Sequence, residues 1–142
     1  MRIGLDFDGV ICRQVYWPRW MPKQMRICLR LLIFPMPGLK VARKLCREHQ
    51  VVVVTCRNED FRLVTRWWLR FHRLPVAGLH CIGWGNDKGV ILKQDQVEVF
   101  FDNHQRHVDA VVRQGVPAFL FTSWAEVEKQ LKCFATAQEE NE

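Results

Sequence analysis

Four consecutive valines, Val51 to Val54, constrain the fold of this chain more than any other feature. A β-branched run that is apolar at every position has no face to offer water. It reads as a central strand buried on both sides, and such strands belong to parallel sheets with helices packed on either face. The rest of the chain alternates accordingly. Arg2 to Phe7 is a short apolar run ending in two acids and a glycine, a buried strand breaking into a loop. Leu79 to Trp84, Val97 to Phe101 and Ala118 to Phe121 read as further strands.

Helices fall between them. Pro37-Gly38 precedes an amphipathic stretch with Leu39, Ala42, Leu45 and Cys46 on one face and Lys40, Arg43, Lys44 and Arg47 on the other. Asn58 is placed to cap a helix carrying Phe61, Val64, Trp68 and Phe71 at helical spacing, and Ser123 to cap one from Trp124 to Phe134. Shorter helices are expected over Asp87 to Leu92 and Gln105 to Arg113, and another from Pro22 to Ile33. The expected architecture is α/β, a doubly wound, Rossmann-like parallel sheet of about five strands with helices on both faces. One domain covers residues 1–135, with an insert over about 10–37 and a frayed acidic tail over 136–142. With 142 residues, 49% of them apolar, the chain can bury a sizeable core.

In doubly wound sheets ligands bind beyond the carboxyl ends of the strands. The residues expected there are Asp6 and Asp8, Thr55, Asn86 to Lys88, and Asp102 with Asn103. Three acids on one rim repel each other, and a hard divalent cation removes the conflict. Mg2+ suits oxygen ligands and leaves room for a substrate phosphate. A carboxylate can then attack phosphorus, a second one can move the proton, and a hydroxyl and a lysine can hold the phosphoryl oxygens. Lys93 competes with Lys88 for that last task, and Lys88-Gly89 lies nearer the expected strand end.

The order of these features resembles the haloacid dehalogenase (HAD) superfamily of phosphohydrolases. Leu5-Asp6-Phe7-Asp8-Gly9-Val10 is similar to its first motif and Val53-Val54-Thr55-Cys56-Arg57 to its second. Lys88 stands for the third and Phe100-Phe101-Asp102-Asn103 for the fourth. The resemblance implies Asp6 as nucleophile and metal ligand, and Asp8 as acid/base that binds metal through its backbone carbonyl. It implies Thr55, Cys56 and Lys88 around the phosphate and Asp102 completing the Mg2+ site, so that Asp6, Asp8 and Asp102 share one ion. Asn103 stands where many members carry a second acid. The short insert leaves room for a flap rather than a cap domain, which is similar to the small deoxynucleotidase-like branch.

Substrate contacts are expected from Arg13, Trp17 and Arg57, with phosphorylated compounds as substrates and nucleotides as the leading class. A competing reading is a non-catalytic domain that binds nucleic acid through its basic half. Residues 1–73 hold 15 Lys/Arg against 5 Asp/Glu, residues 74–142 hold 6 against 10. Lys23, Arg26 and Arg30 with Ile27 and Leu31 form a basic amphipathic stretch, read first as an ordinary helix face and second as a contact for membrane or nucleic acid. The six cysteines show neither CxxC nor zinc spacing and are expected as buried free thiols. The longest apolar run, Leu31 to Pro37, is far shorter than the roughly 18 residues that span a bilayer. With no apolar leader at the start, the expected location is cytoplasmic.

Overall fold

The computed structural model describes residues 1–140. Five strands, β1 (Arg2–Leu5), β2 (Gln50–Thr55), β3 (Gly78–Cys81), β4 (Val99–Asp102) and β5 (Ala118–Leu120), form one all-parallel sheet in the order β3-β2-β1-β4-β5. The chain builds outward from β1 to β3, then crosses back to lay β4 against the other side of β1. The reversal puts the switch point at the end of β1, the position from which Asp6 projects.

Alternation along the strands divides the core in two. Val51, Val53, Ile3, Leu5 and Phe101 face α2 (Leu39–Glu48), α3 (Arg62–Phe71) and α6 (Trp124–Glu139). Val52, Val54 and Phe100 face α4 (Lys88–Gln94) and α5 (Gln105–Arg113). Gly4 lets the second layer close: a Cβ there would stand 2.7 Å from the Leu92 side chain and 2.8 Å from Phe100. The remaining helix, α1 (Lys23–Leu29), continues into a 3-10 turn over Arg30–Leu32 and belongs to the insert. That insert is closed at its base, where Arg13 N donates to Phe34 O and Met36 N to Ile11 O. Trp68 of α3, fully buried, ties it down by donating from Nε1 to Ile33 O at 2.8 Å.

The doubly wound α/β expectation matches the structure, with differences at the ends of elements. The third strand stops at Cys81 because Gly83 and Gly85 take left-handed φ values of 78° and 82° and turn the chain away. A 3-10 turn over Glu59–Phe61 precedes α3, and Asn58 makes no side-chain cap there. The Ser123 cap forms, its side chain accepting from Glu126 N at 3.2 Å. Helix α6 runs on to Glu139, past Phe134, because Ala135 to Glu139 are compatible with continued helix; the last part of the expected tail, residues 141–142, lies outside the described residues. All six cysteines are free, as expected, but only Cys12 and Cys81 are buried, while Cys28 and Cys133 are exposed on helices. No helix of the described residues is long and apolar enough to cross a membrane.

Candidate active site

Strand ends from three parts of the chain meet beside the insert. Asp6 follows β1, Thr55 ends β2, Asp102 ends β4, and Lys88 is the first residue of α4. Lys88 is buried between the two acids, with Nζ 2.8 Å from Asp6 Oδ1 and 2.7 Å from Asp102 Oδ2. Lys93, its competitor in the sequence, is exposed on the far part of the same helix.

The two acids have different jobs. Asp102 is wholly buried, and its lone pairs are taken: Oδ1 accepts from His104 N at 2.9 Å, Oδ2 from Lys88 and from His107 Nδ1 at 3.1 Å. Burial pushes its carboxyl up, but the bonds from His107 and Lys88 more than offset this and hold it below the usual range. The same bond, helped by the Cys56 sulfur, lifts His107 to about 9. Asp6 instead lines an open cavity of about 250 Å³ together with Asp8, Thr55, Cys56, Arg57 and Lys88. Burial raises its carboxyl to about 6, Lys88 opposing and Asp102 reinforcing the shift. Burial works against the charge on Lys88, but Asp6 and Asp102 outweigh it and keep the ammonium protonated.

The side chains of Asp6, Asp8 and Asp102 do not face one common space, and Asp6 and Asp102 meet on Lys88 instead. Asp8 turns its side chain to Arg57, which chelates it through Nε at 2.8 Å and Nη2 at 2.7 Å, while Asp102 lies behind Lys88 and off the cavity. Among the described residues no three acidic, imidazole or thiol groups gather as a metal site. A different oxygen set does gather. The Asn103 carboxamide lies 3.1 Å from the Asp8 carbonyl oxygen and 3.3 Å from Asp6 Oδ2. Turned one way its nitrogen donates to both; turned the other way its oxygen joins them. In the second orientation the set is all oxygen, the donor type that Mg2+ takes. Gly9, at φ +85°, makes room for this approach: a Cβ there would fall 2.2 Å from the Asn103 amide. Asp6 and the Asp8 carbonyl, both expected as ligands, would fit Mg2+ there together with Asn103 in one orientation of its carboxamide, while Asp102, the third expected ligand, lies off the cavity.

Substrate-side residues divide similarly. Trp17 lines the cavity while packing on the core, and its Nε1 is buried without a hydrogen-bond partner among the described residues. Arg57 reaches the cavity, yet its guanidinium is committed to Asp8, to Thr65 Oγ1 at 2.9 Å and to the Phe7 ring. Arg13 does not reach it, because the pairing of its backbone with Phe34 directs the side chain into a separate groove beside His72. Arg26 and Arg30, read in the sequence as a helix face, line the cavity instead, each with a buried Nε that lacks a partner. Arg30 Nη1 lies 3.9 Å from Asp8 Oδ1. His107 lacks metal-ligand spacing in the sequence, although its place in the first turn after a strand-end acid is a readable signal.

The fold, five parallel strands in this order with helices on both faces, is shared with solved structures of HAD-superfamily hydrolases. A HAD-superfamily hydrolase, subfamily IA, variant 1, from Geobacter sulfurreducens PCA superposes with a TM-score of 0.63 at 14% identity, over 91% of this chain and 98% of that one. A haloacid dehalogenase-like hydrolase from Streptococcus pneumoniae gives 0.61 at 8% identity, over 85% and 84%. A chain of the Pnkp1/Rnl/Hen1 RNA repair complex gives 0.62 at 16% identity, over 84% of this chain but only 41% of its own length. No protein-family model and no curated protein matches the sequence.

Proposed function

We propose that the chain is a magnesium-dependent phosphomonoester hydrolase that works through an aspartyl-phosphate on Asp6. The observation that carries this is a single buried carboxyl, raised to about 6, facing a cavity otherwise rich in cationic and hydrogen-donating groups. At neutral pH such a group is mostly ionised and poorly solvated, the condition of an activated oxygen nucleophile. Bound Mg2+, held by Asp6 Oδ2, the Asp8 carbonyl and Asn103, would neutralise charge on the phosphoryl oxygens.

An Asp6 carboxylate oxygen attacks phosphorus and the P–O bond to the leaving group breaks. Lys88 and the Thr55 hydroxyl donate to the phosphoryl oxygens as charge spreads over them. Thr55 Oγ1 already accepts from Arg57 N at 3.3 Å, which leaves its own hydrogen to give. The Asp8 carboxyl, protonated once it turns from Arg57 to the leaving group, supplies a proton to the departing oxygen. It then takes one from the water that attacks the phospho-aspartate, which releases inorganic phosphate and restores Asp6. Arg57 holds Asp8 ionised and turned aside until that turn, and Asp102 with His107 fixes Lys88.

Arg26 and Arg30 add positive charge to the cavity, and Tyr16, Trp17 and Trp84 supply flat rings around it. Nucleotides combine a phosphate with such a ring and are the first substrate class in this reading. The free cysteines fit a reducing, cytoplasmic compartment. The test is phosphate release from p-nitrophenyl phosphate and a nucleotide panel, with Mg2+ and with chelator. Asp6→Asn should lower turnover by at least ~10³-fold. Undiminished turnover in that variant would remove Asp6 as nucleophile.

A further inference from the structure

Between Asp8 and Glu48 the chain carries nine Lys and Arg and no acid at all. Arg62 to Arg73 adds four more, again without an acid. These stretches come together in space: Trp68 of α3 donates to Ile33 O of the insert, and the Arg30 guanidinium lies 4.7 Å over the Phe61 ring. Along their shared border large apolar side chains point outward. Leu32 is 72% exposed and Phe34 75%, with Trp67 at 56% and Phe71 at 78% on α3. Phe34 shares a groove with His72, whose ring meets Phe71 edge-on at 5.2 Å. Trp67 precedes Phe71 by one turn on the same edge of α3. Nearby acids are spoken for, Asp60 by Lys23 and Glu59 by Arg62. Arg66, Arg70 and Arg73 are exposed and have no ion-pair partner among the described residues; Arg66 and Arg70 edge the groove between α3 and β3, on the side of α3 away from Phe34 and His72.

We propose that this face, the insert together with the outer edge of α3, docks on an anionic lipid bilayer. Leucine and phenylalanine tips flanked by arginine, with Tyr16 exposed beside the cavity, form the combination that lies in the headgroup region: apolar tips below it, cations level with the phosphates. A second copy of the chain is a poor occupant, because two such faces would set like charges against each other. Nucleic acid would satisfy the arginines and stack on the rings but gives Leu31 and Leu32 nothing to bury in. Tyr16 and Arg30 belong both to this region and to the cavity lining, so docking places the cavity near the lipid surface. The proposal does not depend on the catalytic reading.

The test is co-sedimentation of the whole chain with vesicles of phosphatidylcholine alone or mixed with phosphatidylglycerol, at low and high salt. Binding should require the anionic lipid and weaken with salt. The double variant Leu32→Ser, Phe34→Ser should bind at least ~20-fold more weakly, and Arg66→Gln, Arg70→Gln roughly 30-fold more weakly. All four side chains are exposed, so unchanged melting temperatures will show that the variants fold. No preference for anionic vesicles overturns the proposal. So does full binding by both double variants, or tight binding to a single-stranded oligonucleotide with none to vesicles. A dimer in light scattering that the Leu32, Phe34 variant abolishes would assign the face to a second copy instead.

Discussion

Replacing Lys88 by methionine tests the electrostatics of the site directly. Lys88 Nζ is the cation between Asp6 and Asp102, whose side chains are 6% and 0% exposed. Methionine keeps the length of the side chain and removes the charge, so both acids lose a buried partner. Breaking a buried pair from one side costs about 3–5 kcal/mol. For a chain of this size that is a fall in melting temperature of roughly 8–15 °C. The pH dependence has a definite sign. Asp6 already sits at about 6 with Lys88 opposing the rise, so its removal drives the folded-state value higher. A carboxyl raised in the folded state binds its proton more tightly there than in the unfolded chain, so stability rises as pH falls through the raised value. The penalty should be largest near pH 8 and shrink towards pH 5. Urea denaturation of both proteins in chelator, at unit steps of pH, measures it. A penalty below about 1 kcal/mol, or one flat across that range, would show that Lys88 does not hold the two acids as described.

Asp6→Asn, besides losing turnover, should stabilise the metal-free protein by about 1–3 kcal/mol at pH 7.5. The gain should vanish below about pH 4, where the carboxyl is protonated in both states; calorimetry across that range checks it. His107, lifted to about 9, contributes stability that is complete below about 6.5 and lost as pH rises through 9. In His107→Gln the melting temperature should lose that descent between pH 6.5 and 9, and an unchanged profile would count against the Asp102 contact. Trp68→Phe removes the bond to Ile33 O and part of a buried ring, at a cost of about 1–3 kcal/mol. Limited proteolysis should then cut the insert between Trp17 and Phe34 sooner than in the parent.

The sheet was legible because burial writes itself into composition. Val51 to Val54 must be apolar on both sides, and Phe100-Phe101 fill the two cores from adjacent positions. The strand-end rule then placed Asp6, Thr55 and Lys88 near one another, since it needs only the order of elements. Directions of side chains beyond the strand ends need tertiary contacts. Asp8 is two residues from Asp6, yet Arg57 pulls it aside, and nothing local to Asp8 announces that partner. Asn103 looked like a missing acid, and its closeness to the Asp8 carbonyl depends on Gly9 lacking a side chain. Arg26 and Arg30 show the same limit: helical spacing tells which residues share a face, but the way the insert folds back decides where that face looks.

Because β1 is the middle of the sheet, its neighbours are β2 and β4, and β4 lies in the second half of the chain. A ribosome making this protein delivers Asp6 early and its balancing Lys88 late. Until Lys88 arrives Asp6 has no such cation to face, and until β4 follows it the first strand has one open edge. The centre of the molecule is thus completed in a late step, and any enzymatic turnover becomes a report that synthesis has passed Asn103 and the sheet has closed.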